Sequence, residues 1–175
     1  QAAVGADIAT INPYLGVDGV KPFADACREN GTGVFVLVKT SNPSSGQLQD
    51  LRFEDGRTLY QAVADLVEEW GEETRGESGY SAVGAVVGAT YPQQGVELRE
   101  RMPHAFFLVP DSGRSEARRV GKECSNGAIV NASRSILCAW KKREGMAFDE
   151  AARDEALRMK QDLCDSLAAV GKAIK

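Results

Sequence analysis

The sequence has a single histidine, His104, and only four cysteines, Cys27, Cys124, Cys138 and Cys164, with no C-x-x-C pair among them. So thin and scattered a set of imidazole and thiol ligands gives no basis for a zinc site. The cysteines read instead as reduced packing residues of a cytoplasmic protein. No apolar run approaches the length of a membrane span, and the first residues lack the basic start and apolar middle of a secretory signal. Net positive charge is also lacking. The 21 Lys and Arg against 25 Asp and Glu leave −4, which removes the electrostatic reason to expect a nucleic-acid partner. What is present is globular: 43% hydrophobic residues, 26% charged, and 175 residues, the size of one ordinary domain spanning 1–175.

The most informative stretch is GVFVLVKTSNPSS, Gly33–Ser45. Val34, Phe35, Val36, Leu37 and Val38 make a continuous run of β-branched, aliphatic and aromatic residues, too short for a helix and without polar alternation. A strand buried on both faces, as in a helix-covered parallel sheet, has this pattern. The run then gives way to Lys39, Thr40, Ser41, Asn42, Pro43 and two serines. Small polar donors suit a ligand there, because parallel α/β folds bind at the carboxyl ends of their strands. A plain strand-to-helix turn, with Asn42-Pro43 as punctuation, accounts for the same residues. The pattern recurs four times: Ile8–Asn12 before PYLG, Val83–Val87 before GATYP, Phe106–Val109 before PDSG, and Ala128–Val130 before NASRS.

Between these strands the chain reads as helices. Strand ADIATIN opens the sequence almost without a lead-in, which suggests a cut start. An amphipathic stretch follows from Val20 to Asn30, closed by Gly31, with Asp18 either capping it or touching a ligand. Gln47–Arg57 is a polar connector with a turn at Glu54-Asp55-Gly56. Thr58 caps a helix whose apolar face is Leu59, Ala62, Val63, Leu66, Val67 and Trp70. The nearby Glu68, Glu69, Glu72 and Glu73 read as a solvated face. Pro92 starts a short helix with Val96, Leu98 and Met102. His104 precedes its strand, at the end away from the expected active edge, and reads as structural. Pro110–Gly127 carries Arg114, Arg118, Arg119 and Lys122, either an anion-attracting helix or a solvated crossover. Arg134, between Ser133 and Ser135 just past the last strand, suits a phosphate, since its fork makes paired charged hydrogen bonds. The last helix runs from about Phe148 to Gly171 with Ala152, Ala156, Met159, Leu163 and Leu167 inward and its charges on the surface.

Alternating strands and helices predict an α/β fold with parallel pairing. Two closures fit: an open flavodoxin-like sheet, or a parallel β/α (TIM) barrel, incomplete here. The abrupt start and two-sided burial favour the barrel.

Five runs carry a family resemblance: ATINPYLGVDGVKPF (Ala9–Phe23), GVFVLVKTSNPSS (Gly33–Ser45), VGAVVGATYP (Val83–Pro92), MPHAFFLVP (Met102–Pro110) and GAIVNASRSIL (Gly127–Leu137). In this order and spacing they resemble orotidine 5′-phosphate decarboxylase of the longer-chain bacterial branch, from its C-terminal portion. The resemblance implies the fourth to eighth strand–helix units of the barrel. It also implies conversion of orotidine 5′-monophosphate to uridine 5′-monophosphate and carbon dioxide in pyrimidine biosynthesis, with no metal or organic cofactor and commonly as a homodimer. It assigns Ser41 to the pyrimidine and Arg134 to the phosphate. Thr40, Asn42, Thr90 and Ser133 would line the pocket, with Asn12 and Asp18 as weaker candidates.

The sequence departs from the family twice. The D-x-K-x-x-D run, whose lysine protonates the carbanion left by decarboxylation, is absent, so no catalytic residue is assigned and this chain alone is expected to be inactive. Residues 111–126 replace the phosphate-closing loop and the helix after it. Within them RSEARRVGKEC, Arg114–Cys124, resembles the translation of a sequencing adapter more than any family segment, which implies no evolved role for Arg114, Arg118 and Arg119. Two other functions compete: a sugar-phosphate decarboxylase or similar phosphate-binding barrel lyase, and a non-enzymatic flavodoxin-like binding domain.

Overall fold

The computed structural model describes residues 5–88, 92–110, 127–169 and 171. Its centre is one sheet of five strands, β1 (Ile8–Ile11), β2 (Gly33–Lys39), β3 (Val83–Val87), β4 (Phe107–Pro110) and β5 (Ala128–Asn131). Every neighbouring pair is parallel and the spatial order is the sequence order. A flavodoxin-like arrangement needs a reversal of strand order; this sheet has none, so that alternative falls. The first and last strands are not paired to each other, leaving β1 and β5 as edges among the described residues.

Helices cover one face. Val34, Val36 and Val38 of β2, with Val83, Ala85 and Val87 of β3, pack against Val20, Ala24 and Cys27 of α1 (Val17–Asn30) and Tyr60, Val63, Ala64 and Val67 of α3 (Leu59–Gly71). Val34, Phe35, Val36 and Val38 are buried and Leu37 is half-buried, close to what the run predicts for a central strand. The opposite face carries Phe35, Val86, Leu108 and, on the edge strands, Ile8 and Ile129. Burial there fades from the centre outward: Phe35 is 6% exposed, Ile129 45% and Ile8 51%. The edge strands have a neighbour on one side only, and their apolar side chains on this face meet solvent.

Several helix boundaries follow their sequence signals. Gly31 ends α1 in the left-handed conformation at φ 65°, Gln61 accepts the Thr58 backbone N–H at 2.6 Å to open α3, and α4 (Pro92–Arg101) begins at its proline. Three details differ from expectation. Helix α1 starts at Val17 behind Gly16, because a turn from Pro13 O to Gly16 N already bends the chain; Asp18 therefore sits in the first turn and caps nothing. The buried face of α3 is Tyr60, Val63, Ala64, Val67 and Gly71, rotated so that Leu66 faces outward. After the short α5 (Ser133–Leu137), helix α6 (Phe148–Ala168) buries Ala151, Glu155, Met159 and Ser166, while Ala156 is exposed. Its charges are not all surface. Glu155 is 4% exposed and is held by Arg143 and Arg158 at 3.3 and 2.6 Å.

At the amino ends of β4 and β5, Arg99 stacks 3.7 Å over the Phe107 ring and donates to the carbonyls of Met102, Ala105 and Gly127. His104 lies at this same end. Its Nδ1 is 2.5 Å from Glu68 Oε1, which ties the start of β4 to α3, and Glu68 is thus a partner rather than part of a solvated face.

Candidate functional site

Parallel pairing in sequence order brings every strand's carboxyl end to one edge. Asn12, Lys39–Asn42, Gly88, Pro110 and Asn131–Arg134 follow one another along it. Adjacent strands lie about 4.8 Å apart, so the ends of β2 and β5 are separated by roughly 14 Å along the sheet.

The β2 end of this edge carries a network of side-chain hydrogen bonds. The Thr40 backbone N–H donates to Gln49 Oε1 at 3.0 Å, and Gln49 Nε2 donates back to Thr40 Oγ1 at 2.8 Å. Thr40 Oγ1 in turn donates to Asn42 Oδ1 at 2.6 Å, and Asn42 Nδ2 donates to Ser44 Oγ at 3.1 Å. Gln49 closes the one-turn helix α2 (Gly46–Gln49), which folds back over the strand end. Next to it Asp50 accepts from Lys39 Nζ at 2.7 Å. Gly88 lies tight against Ser41: a Cβ there would stand 3.0 Å from the Ser41 backbone nitrogen.

Simple alternation places Lys39 on the same side as Ser41, near a pocket. The structure overturns this. The β2–β3 register slips between Leu37 and Lys39, so Lys39 pairs with Val87 and shares its helix-side face. Its side chain is 3% exposed, bonded to Asp50 and 5.2 Å from the Tyr60 ring. Burial, then the neighbouring Glu97 carboxylate, holds the Tyr60 hydroxyl pKa above its ordinary value.

The other predicted residues are open to solvent. Asn12 accepts the Tyr14 backbone N–H at 3.0 Å, Ser133 donates to Asn131 Oδ1 at 3.1 Å, and Asp18 and Arg134 are exposed. Thr90 and residues 111–126 lie outside the described residues. A cleft of about 810 Å³ opens at the opposite end of the sheet, beside Ile8, Phe35, Tyr80, Gly84, Phe106 and Ile129, and contains none of the predicted residues. The predicted site residues stand at the other edge, where parallel sheets bind. Sequence reading passed over Gln49 and Asp50 as a polar connector. Nothing in the local pattern ties them to Thr40 and Lys39, nine and eleven residues earlier.

A five-stranded parallel sheet in sequence order, with helices packed on one face, defines an α/β fold. The particular family follows from comparison. The chain belongs to the orotidine 5′-phosphate decarboxylase / HUMPS family, whose model matches residues 1–148. It is 48% identical over 160 residues to an orotidine 5′-phosphate decarboxylase of Rhodopirellula baltica, covering 88% of this chain and 53% of that protein. Identity to the Caldicellulosiruptor bescii enzyme of that name is 44%, over 90% of this chain and 53% of that one. Among solved structures, the OMP decarboxylase of Leishmania donovani superposes with a TM-score of 0.68 at 32% identity, over 90% of this chain and 58% of that one. The chain thus spans about half the length of the curated relatives it matches.

Proposed function

We propose that this chain supplies the nucleotide-holding part of an orotidine 5′-phosphate decarboxylase, its five strands corresponding to the fourth to eighth units of the barrel. The observation that carries the reading is the single polar edge, with Thr40, Ser41 and Asn42 at β2 and Ser133 and Arg134 beyond β5. Ser41 hydrogen-bonds the pyrimidine, and Arg134 binds the phosphate with its exposed guanidinium. Thr40, Asn42 and Ser133 line the space between, Asn12 and Asp18 flank it, and the family resemblance adds Thr90. The roughly 14 Å of sheet between the two ends suits a ligand held at its base and at its phosphate.

Replacing Arg134 tests the phosphate end. Charged hydrogen bonds contribute about 1.5–3 kcal/mol each. Arg134→Ala should therefore weaken uridine 5′-phosphate binding roughly ten-fold or more in calorimetry and leave uridine binding nearly unchanged. Equal losses for both ligands refute the assignment. The TSNP run, with an amide and hydroxyls for a pyrimidine edge, supports a nucleotide over a sugar phosphate. Tighter binding of ribulose 5-phosphate than of uridine 5′-phosphate would favour the sugar-phosphate lyase instead.

A further inference from the structure

Beyond the residues proposed to face the ligand, the β2 end holds polar side chains that face the protein. Gln49 is half-buried and uses both ends of its amide on one residue, accepting the Thr40 backbone N–H and donating to the Thr40 hydroxyl. This closes a ring that fixes the peptide immediately before Ser41. Because Gln49 Nε2 occupies the Thr40 oxygen as donor, the hydroxyl proton is directed onward to Asn42 Oδ1. Asn42 Nδ2 then points at Ser44. One amide thus fixes Thr40 and, through it, links Asn42 and Ser44 in one chain of hydrogen bonds. Gln49 is itself held in place, since the next residue, Asp50, is clamped by the buried Lys39. Gly88 closes the other side of Ser41.

We infer that Gln49 is a positioning residue, which holds Thr40–Asn42 so that Ser41 meets the pyrimidine ring of a bound nucleotide; this rests on the nucleotide reading above. It acts at the ring end of the ligand, so its loss is felt equally with and without a phosphate, the opposite of Arg134. Lys39 and Asp50 anchor the device from the helix side and touch no ligand.

Calorimetry with uridine 5′-phosphate and with uridine, together with amide hydrogen exchange at Thr40, tests this on Gln49→Ala and Gln49→Glu. In Gln49→Ala the Thr40 amide loses its acceptor and should exchange at least roughly ten-fold faster. Affinity for both ligands should fall by the same factor, roughly ten-fold, with the thermal midpoint within about 2 °C of wild type. Gln49→Glu keeps an acceptor for the Thr40 N–H but loses the donor to its hydroxyl. It should restore slow exchange while recovering affinity only in part. If wild type binds and Gln49→Ala binds equally well, or the Thr40 amide is no faster, the positioning role is wrong and the nucleotide reading stands. If wild type binds neither ligand, the nucleotide reading fails and takes the positioning role with it.

Discussion

At the scale of single residues, the close approach of backbones decides more than any charge. Gly84 sits mid-strand in β3, where a Cβ would stand 2.6 Å from the Phe106 carbonyl and 2.7 Å from the Phe35 ring. The ring could turn aside, but the carbonyl is that of the residue just before β4 and is held by the Ala85 N–H at 2.8 Å. Gly84→Ala therefore forces β3 and β4 apart and should destabilise the fold by about 1–3 kcal/mol, the usual cost of overpacking. Urea unfolding followed by circular dichroism measures it, and an unchanged midpoint would show that the strands can separate freely. The same crowding at Gly88 is milder, 3.0–3.2 Å, and acts on Ser41.

At the scale of elements, α6 is anchored by a charge. Helix packing ordinarily rests on apolar stripes, yet the inner line of α6 places Glu155 between Ala151 and Met159. Its carboxylate is buried, while Arg143 and Arg158, which bond to it, are partly exposed, 28% and 32%. That asymmetry predicts unequal mutants. Glu155→Ala leaves Arg143 with Asp154 at 2.9 Å and Arg158 with Asp162 at 2.5 Å, both partly exposed to water. Arg143→Ala with Arg158→Ala takes both guanidiniums away from a buried carboxylate, and breaking a buried ion pair from one side typically costs about 3–5 kcal/mol. The double arginine variant should lose more stability than Glu155→Ala in thermal or urea unfolding; the reverse order would mean that Glu155 reaches solvent readily.

At the scale of the whole molecule, the five-stranded sheet ends in two edges, with Ile8 and Ile129 half-exposed on the face away from the helices. On the proposed function, the carbanion left in the ring by decarboxylation needs a positioned proton donor and a preorganised set of charges, which binding residues alone cannot replace. Lys39, the nearest lysine to Ser41 in the chain, is turned to the helix face and bonded to Asp50. This chain alone should therefore leave orotidine 5′-phosphate absorbance unchanged. Activity should appear only with a second polypeptide carrying a D-x-K-x-x-D unit and its barrel strands. Turnover by the chain alone, abolished by Lys39→Ala, would relocate the catalytic centre to Lys39.

The sequence by itself determined the five strands, their parallel α/β character, the helix stops at Gly31 and start at Pro92, and the polar residues at the strand ends. These depend on local features: an apolar run bounded by a turn, a glycine that accepts positive φ, a proline that needs no N–H donor. Only the tertiary structure decided the rest. Periodicity marked a stripe on α3 and on α6, but adjacent stripes of similar apolarity differ by one residue. Packing chose Ala151 and Glu155 over Ala152 and Ala156. The slip at Leu37–Lys39 is invisible in β2 because it arises from pairing with β3, and it alone carries Lys39 away from the site. Gln49 and Thr40 likewise meet only because α2 folds back over the end of β2, a contact that no local pattern encodes.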